Sequence, residues 1–341
     1  MIRLEKIKKS YGKKIILDEA SYHFPQGERI ALVGANGTGK STLLNMMCSL
    51  EDHDSGEIII PSTLKFGYLP QEPNPSPKFT VLEEALAGAK SISVVKEQLD
   101  IILHKMEVSY SEEVHKKYDK LEEKFTELGG HTITAKAKGI LLGLGFQATQ
   151  FEQNPMELSG GWRMRLELAK VFLNDPDFLI LDEPTNHLDL PSLIWVENYL
   201  QSFKGTLLFV SHDRNLLNKL STITLHLTNG RLNFYKGNFD YFLDEREKRI
   251  ELDAKSIERL HKRMAQLEKF VERFKAKASK AKQAQSRMKM LAKMRDFENE
   301  IVLDTDAEEI VFSFRPPTLC GKEVLSINNL TIGYDTATPL A

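Results

Sequence analysis

Cysteine is nearly absent from this sequence. Cys48 and Cys320 are the only two in 341 residues, they lie far apart, and neither stands at a metal-ligand spacing. That argues against a disulfide framework and a structural zinc site, and it suits a reducing compartment. Long apolar runs are missing too: stretches such as FLIL at 178–181 fall far short of the roughly 20 residues that cross a bilayer. The opening MIRLEKIKKSYGKK is charged and has no apolar signal region, so the expectation is a cytoplasmic protein without a membrane span of its own. No charge of one sign dominates, since 46 Lys and Arg face 48 Asp and Glu. With 41% hydrophobic and 28% charged residues the composition is ordinary for a globular chain, and the length suits about two domains.

Proline and glycine, the residues that break helices, are both absent from 240 to 300. Within that stretch Leu260, Met264, Leu267, Phe270, Val271 and Phe274 recur at helical spacing, which predicts a helical hairpin or a pair of long helices. Upstream the pattern differs. Residues 1–33 read as short strands punctuated by turns at Tyr11-Gly12 and at Pro25 to Gly27. Residues 80–128 carry a helical period dense in Glu and Lys that stops at Gly129-Gly130. From 131 to 240 helices alternate with apolar strands such as FLILDEP and TLLFVSHD, the pattern of a mostly parallel sheet covered on both faces. Beyond an acidic patch at 304–309 and Pro316-Pro317, the residues Ile327, Leu330, Tyr334 and Leu340 repeat Leu4, Ile7, Tyr11 and Leu17 at a constant offset. The repeat predicts a second copy of the first domain that has only begun where the sequence stops.

Chemistry concentrates in short segments. Gly34-Ala35-Asn36-Gly37-Thr38-Gly39-Lys40-Ser41 fits the phosphate-loop pattern, in which glycines let backbone N–H groups close on phosphates. Lys40 would reach the β- and γ-phosphates, the Ser41 hydroxyl would ligate Mg²⁺, and the helix that follows would aim its positive end at the same anion. The apolar strand 178–181 runs into Asp182, placed to hold Mg²⁺ through its water shell, and Glu183, placed to orient and polarise an attacking water. Alone, a strand ending in Asp-Glu is usually a solvated loop; a phosphate loop upstream reverses that weighting. Ser159-Gly160-Gly161 opens an amphipathic helix and offers a second anion site without a lysine, although the same triplet also serves as a turn and N-cap. His212, at the end of the strand LLFV, and Tyr11 are each compatible with a structural role by themselves.

The phosphate loop, Gln71, LSGGW, FLILDEP, Asn186-His187-Leu188-Asp189 and Ser211-His212-Asp213 follow one another in the order of ABC-type nucleotide-binding domains, a resemblance that covers residues 1–230. Carried over by position, it implies that Tyr11 stacks on adenine and that Asn36, Gly37, Thr38, Gly39 and Thr42 join Gly34, Lys40 and Ser41 around the phosphates of ATP. Gln71 would be the Q-loop glutamine near the metal and the attacking water. Ser159, Gly160 and Gly161 would grip the γ-phosphate of a nucleotide held by another domain, Asp189 would be the D-loop aspartate, and His212 the switch histidine. LSGGWRMRLELA, the helical insert near 92–128 and KFVERFKAKASKAKQAQSRMK resemble the ABC-F subgroup, whose members carry two such domains in one polypeptide and act on the ribosome.

The implied fold is α/β: an ABC-type P-loop domain over 1–240, with a mixed sheet, an antiparallel β subdomain and a helical subdomain. The insert at 92–128 would be an arm, 241–303 a helical-hairpin linker, and 304–341 the start of a second nucleotide-binding domain. The linker also has a charge argument of its own. From Arg259 to Arg295, thirteen Lys and Arg stand against Glu268 and Glu272, a net +11 that leaves −13 on the rest of a chain whose total is −2. A basic helical element on an acidic body suits a polyanion partner such as RNA, which the resemblance would make tRNA or rRNA, against the plainer reading of a solvated coiled-coil face. Two rivals remain: the ATPase subunit of a membrane transporter, which would share residues 1–230 without needing the basic linker, and a nucleic-acid or branched-DNA binding module that uses ATP only as a conformational ligand.

Overall fold

The structure is a computed structural model that describes residues 2–69, 76, 79–108, 111–186, 188–274, 281–300 and 326–328. Met1–Asp304 form one compact unit and Thr305–Ala341 a second. The first unit opens with strands β1 (Arg3–Tyr11), β2 (Lys14–His23) and β3 (Arg29–Val33), followed by helix α1 (Lys40–Met47) and strands β4 (Ser55–Ile59) and β5 (Phe66–Tyr68). A helical region comes next: α2 (Val81–Leu86), α3 (Lys90–Val108), α4 (Glu112–Glu127), α5 (Ile133–Gly143) and α6 (Gly160–Leu173). The chain then alternates through β6 (Phe178–Asp182), α7 (Leu190–Ser202), β7 (Thr206–Val210), α8 (Arg214–Leu220), β8 (Ile223–Thr228) and β9 (Arg231–Tyr235). It ends in the long helices α9 (Phe239–Phe274) and α10 (Ala281–Glu300).

Two sheets result. The larger has strand order β5-β6-β7-β3-β8-β9, parallel except for the antiparallel β8–β9 pair at one edge. The smaller, β2-β1-β4, is antiparallel throughout. Continuous apolar strands make sense because both faces of the large sheet are covered. Successive residues of β3, β6 and β7 point to opposite sides: Ala31, Val33, Leu179, Leu181, Leu207 and Phe209 enter a core against the helices. Ile30, Leu32, Phe178, Ile180, Leu208 and Val210 enter another against α1 and the antiparallel sheet.

The helix that begins after Ser159 is anchored by aromatics rather than by its cap. Phe172 of α6 is fully buried and stacks on Tyr199 of α7 with ring centroids 4.1 Å apart, while the Tyr199 hydroxyl donates to the Phe172 carbonyl at 3.3 Å. Farther on, Phe239, Phe242 and Leu243 plant the first turn of α9 in the helical-side core. Its distal part packs on α10 through Met264, Leu267 and Leu291, flanked by Leu260, Val271 and Met294, with Arg295 bonded to Glu268 at 2.7 Å. The side chains of Phe270 and Phe274, also expected on an apolar face, lie outside the described residues.

Truncating Phe172→Ala removes a fully buried ring from the α6–α7 contact and is expected to lower unfolding free energy by about 3–5 kcal/mol. Tyr199→Phe, which removes only the hydroxyl, should cost about 1 kcal/mol. Urea unfolding followed by circular dichroism reads both; equal losses would show that the hydroxyl bond and not the ring holds the two helices.

Candidate functional site

Because β6, β7 and β3 are parallel neighbours, their C-terminal ends meet at one edge of the sheet, where open α/β sheets form their crevices. Each end contributes chemistry. The loop 34–39 leaves β3 and enters α1; Asp182 closes β6, with Glu183 next; Ser211, His212 and Asp213 follow β7.

The loop needs its glycines. Gly39 adopts φ +105°, and a Cβ there would sit 2.2 Å from Ile16 Cγ2 of β2. A Cβ on Gly34 would meet the Leu227 carbonyl oxygen at 2.5 Å. The loop is therefore clasped between β2 and β8. Within it Lys40 Nζ donates to the carbonyls of Gly34 at 2.9 Å and Ala35 at 3.1 Å, and Thr38 Oγ1 donates to Ala35 O at 2.9 Å. Burial draws the Lys40 ammonium below the usual lysine value, against the opposing pull of the Asp182 and Glu183 carboxylates.

Across the cleft, Ser41 Oγ donates to Asp182 Oδ2 at 2.8 Å, tying the start of α1 to the end of β6. Glu183 leaves the strand in the left-handed region, φ 51°, a conformation that costs a residue with a Cβ about 1–2 kcal/mol. Its amide still donates to Val210 O at 3.0 Å, so the turn is fixed by the neighbouring strand. That turn directs the carboxylate at His212: Oε2 accepts from the His212 amide at 3.2 Å, and Oε1 lies 3.5 Å from His212 Nε2. Oε1 is buried with no hydrogen-bond partner. A buried carboxylate oxygen without a donor costs about 1–3 kcal/mol, which a water donating to it in the cleft would relieve.

The cleft measures about 490 Å³ and brings together Tyr11, Asn36, Gly37, Gly39, Lys40, Ser41, Thr42, Asp182, Glu183 and His212. Tyr11, the last residue of β1, stands 51% exposed beside the β1–β2 turn. Val210 also lines the cleft, as do Lys14 and Ile16 of β2, which carry no motif; Lys14 Nζ donates to Gly37 O at 3.1 Å. Nothing local in the β2 pattern marks them, since only the folding of the small sheet onto the loop brings them there. Among the described residues no cluster of three or more His, Cys, Asp or Glu could hold a metal alone. Ser41 and Asp182 supply two oxygens, a donor set that fits Mg²⁺ completed by phosphate and water.

Ser159, Gly160, Gly161 and Asp189 do not line this cleft. Ser159 is the N-cap of α6 without a capping side-chain bond, and a Cβ on Gly160 would meet nothing within 4 Å. Asp189 caps α7, accepting from the Ser192 amide at 3.3 Å, and lies 3.4 Å from the buried Arg165 of α6. Gln71 and His187 fall outside the described residues.

Fold and cleft together define an ATP-binding cassette of the P-loop ATPase class. Two family models, both described as ABC transporter, match residues 17–186 and 225–314. YdiF of Bacillus subtilis is 36% identical over all of this chain and 53% of its own length. ATP-binding cassette sub-family F member 3 of Mus musculus is 36% identical over 95% of this chain and 45% of its own. The chain belongs to the ABC-F family of ABC ATPases and spans about half the length of the curated relatives it matches. A solved ATP-binding subunit of an ABC transporter shares the fold at a TM-score of 0.54 and 20% identity, over 73% of this chain and 92% of that one. Among the described residues no helix is long and apolar enough to cross a membrane.

Lys40→Ala removes the cleft's half-buried ammonium and is expected to abolish MgATP binding detectable by titration calorimetry. Unchanged affinity in the variant would overturn the phosphate-loop assignment.

Proposed function

We propose that this chain binds MgATP in the cleft between β3 and β6 and hydrolyses it when a second nucleotide-binding domain closes over the phosphates, and that its basic helical segment engages ribosomal RNA or tRNA. The observation that carries the ATPase reading is the buried Oε1 of Glu183, which lacks a hydrogen-bond donor and lies 3.5 Å from His212 Nε2, held by a strained turn in a cleft with an ammonium, a hydroxyl and an imidazole. In this reading Tyr11 stacks on the base, and the loop amides from Gly34 to Thr42 with Lys40 hold the phosphates. Mg²⁺, held by Ser41, Asp182 and Gln71, supplies charge neutralisation of the phosphate oxygens. Glu183 orients and deprotonates water, and His212 steadies that carboxylate.

Ser159, Gly160, Gly161 and Asp189 face a nucleotide carried by another domain, which accounts for their distance from the chain's own cleft. The division into a nucleotide-binding domain at 1–240, an arm at 92–128, a linker at 241–303 and the start of a second such domain at 304–341 belongs to the same proposal, as does a cytoplasmic setting. Its RNA-binding half rests on the +11 charge of 259–295 and on family membership. Arg273 lies in α9, its side chain undescribed, and Lys277 and Lys280 lie outside the described residues.

Hydrolysis is expected to be very slow in dilute solution and to rise with protein concentration as head-to-tail pairs form; rapid turnover independent of concentration would contradict the composite site. In the pairing protein Glu183→Gln should retain MgATP while phosphate release falls by at least 100-fold. Arg273→Glu, Lys277→Glu and Lys280→Glu together should weaken ribosome or tRNA binding at least tenfold. The slope of log affinity against log salt should flatten by roughly 0.7 to 1 for each phosphate-binding cation removed. ATP affinity should not move. Retention on membranes or on branched DNA rather than on ribosomes, compared in one fractionation, would favour the transporter or DNA reading instead.

A further inference from the structure

The half-exposed Tyr11 is less free than its exposure implies. Its hydroxyl donates to Glu51 Oε1, and Lys9 Nζ lies over one face of the ring, 5.1 Å from the centroid. Lys9 also pairs with Glu51 at 3.0 Å and donates to the Asp52 carbonyl at 2.6 Å. The segment carrying Glu51 is itself bound to β1: Asp54 Oδ2 accepts from both the amide and the hydroxyl of Ser10, at 2.8 and 2.7 Å, and the Asp54 amide donates to Lys8 O at 2.8 Å. At its other end the segment continues from α1, whose first turn holds Lys40 and Ser41. Leu50 still donates to Asn45 O at 2.9 Å, so Glu51 is joined to that helix without slack.

We propose that Glu51 is the positioning residue that sets the plane of the Tyr11 ring for the nucleotide base, with Lys9 closing one face so that the other is turned to the cleft. Tyr11 lines the cleft and Lys9 does not. An unanchored exposed tyrosine samples several rotamers, and ordering one on binding subtracts from affinity; a ring held in advance avoids that loss. The cation behind the ring also holds it by its negative face. Through Glu51 the base-side contact and the phosphate loop become two ends of one rigid piece, α1 and the turn after it. The inference rests on the reading of Tyr11 as the base-stacking residue.

The test compares MgATP with magnesium tripolyphosphate, which has phosphates and no base, by calorimetry on the full 341-residue chain. Glu51→Ala is expected to weaken MgATP about fivefold, the worth of one hydrogen bond, and to leave tripolyphosphate unchanged. Glu51→Gln keeps an acceptor for the hydroxyl and should bind within about twofold of the parent. In a Tyr11→Ala background Glu51→Ala should add no further loss. Additive losses, or an equal loss for tripolyphosphate, would overturn the positioning role and leave Glu51 as a general support of the loop. Full MgATP affinity in Glu51→Ala, with Tyr11→Ala clearly weakened, would overturn it while sparing Tyr11; full affinity in Tyr11→Ala would remove both, with Lys40→Ala still testing the phosphate loop separately.

Discussion

Parallel pairing of β6 with β7, and of β7 with β3, sets the distances across the cleft. Asp182 lies opposite Val210 and Ala31 opposite Phe209, so three strand ends finish within one residue of one another. A slip of one residue in either pair would shift an end by about 3.3 Å and send its side chains to the wrong face. Two buried cores oppose such a slip, since each strand divides its apolar residues between them. The Ser41–Asp182 bond is the visible product of that alignment: a helix start and a strand end, 141 residues apart in sequence, meet within 2.8 Å.

Around this edge the structure holds polar groups in costly states. Lys40 commits its ammonium to two loop carbonyls, Glu183 keeps a left-handed backbone and an oxygen without a hydrogen-bond donor, and the imidazole of His212 is exposed beside it. The cores on both sides of the sheet outweigh them, which lets the crevice keep donors and acceptors ready for a ligand.

The strands, the phosphate loop, Asp182, Glu183 and His212 were legible in the sequence because each depends on local rules: apolar runs, glycines at a tight loop, polar residues where a strand stops. The helical insert showed as α3 and α4 for the same reason, a sustained period ending in glycine. What stayed hidden depends on contacts between sheets. Lys14 and Ile16 reach the loop only because β2 folds against it, and Glu51 reaches Tyr11 only because the segment after α1 returns along β1. The left-handed turn at Glu183 was equally unreadable, since glutamate has no preference for it and the Val210 carbonyl imposes it. Asp189 shows the converse difficulty. A spacing that marks it for a nucleotide also suits a helix cap, and capping is what its carboxylate does here.

Helix α9 has one turn embedded in the core and most of its length beyond it. At 1.5 Å per residue its 36 residues make a rod about 54 Å long. Its root moves with Phe239, Phe242 and Leu243, hence with the sheet they pack under. Held as a rigid lever, the helix converts a cassette rotation of about 10° into a sweep of about 9 Å at its far end. If the proposed closure turns the cassette by that angle, the far end of α9 travels roughly the width of a nucleotide.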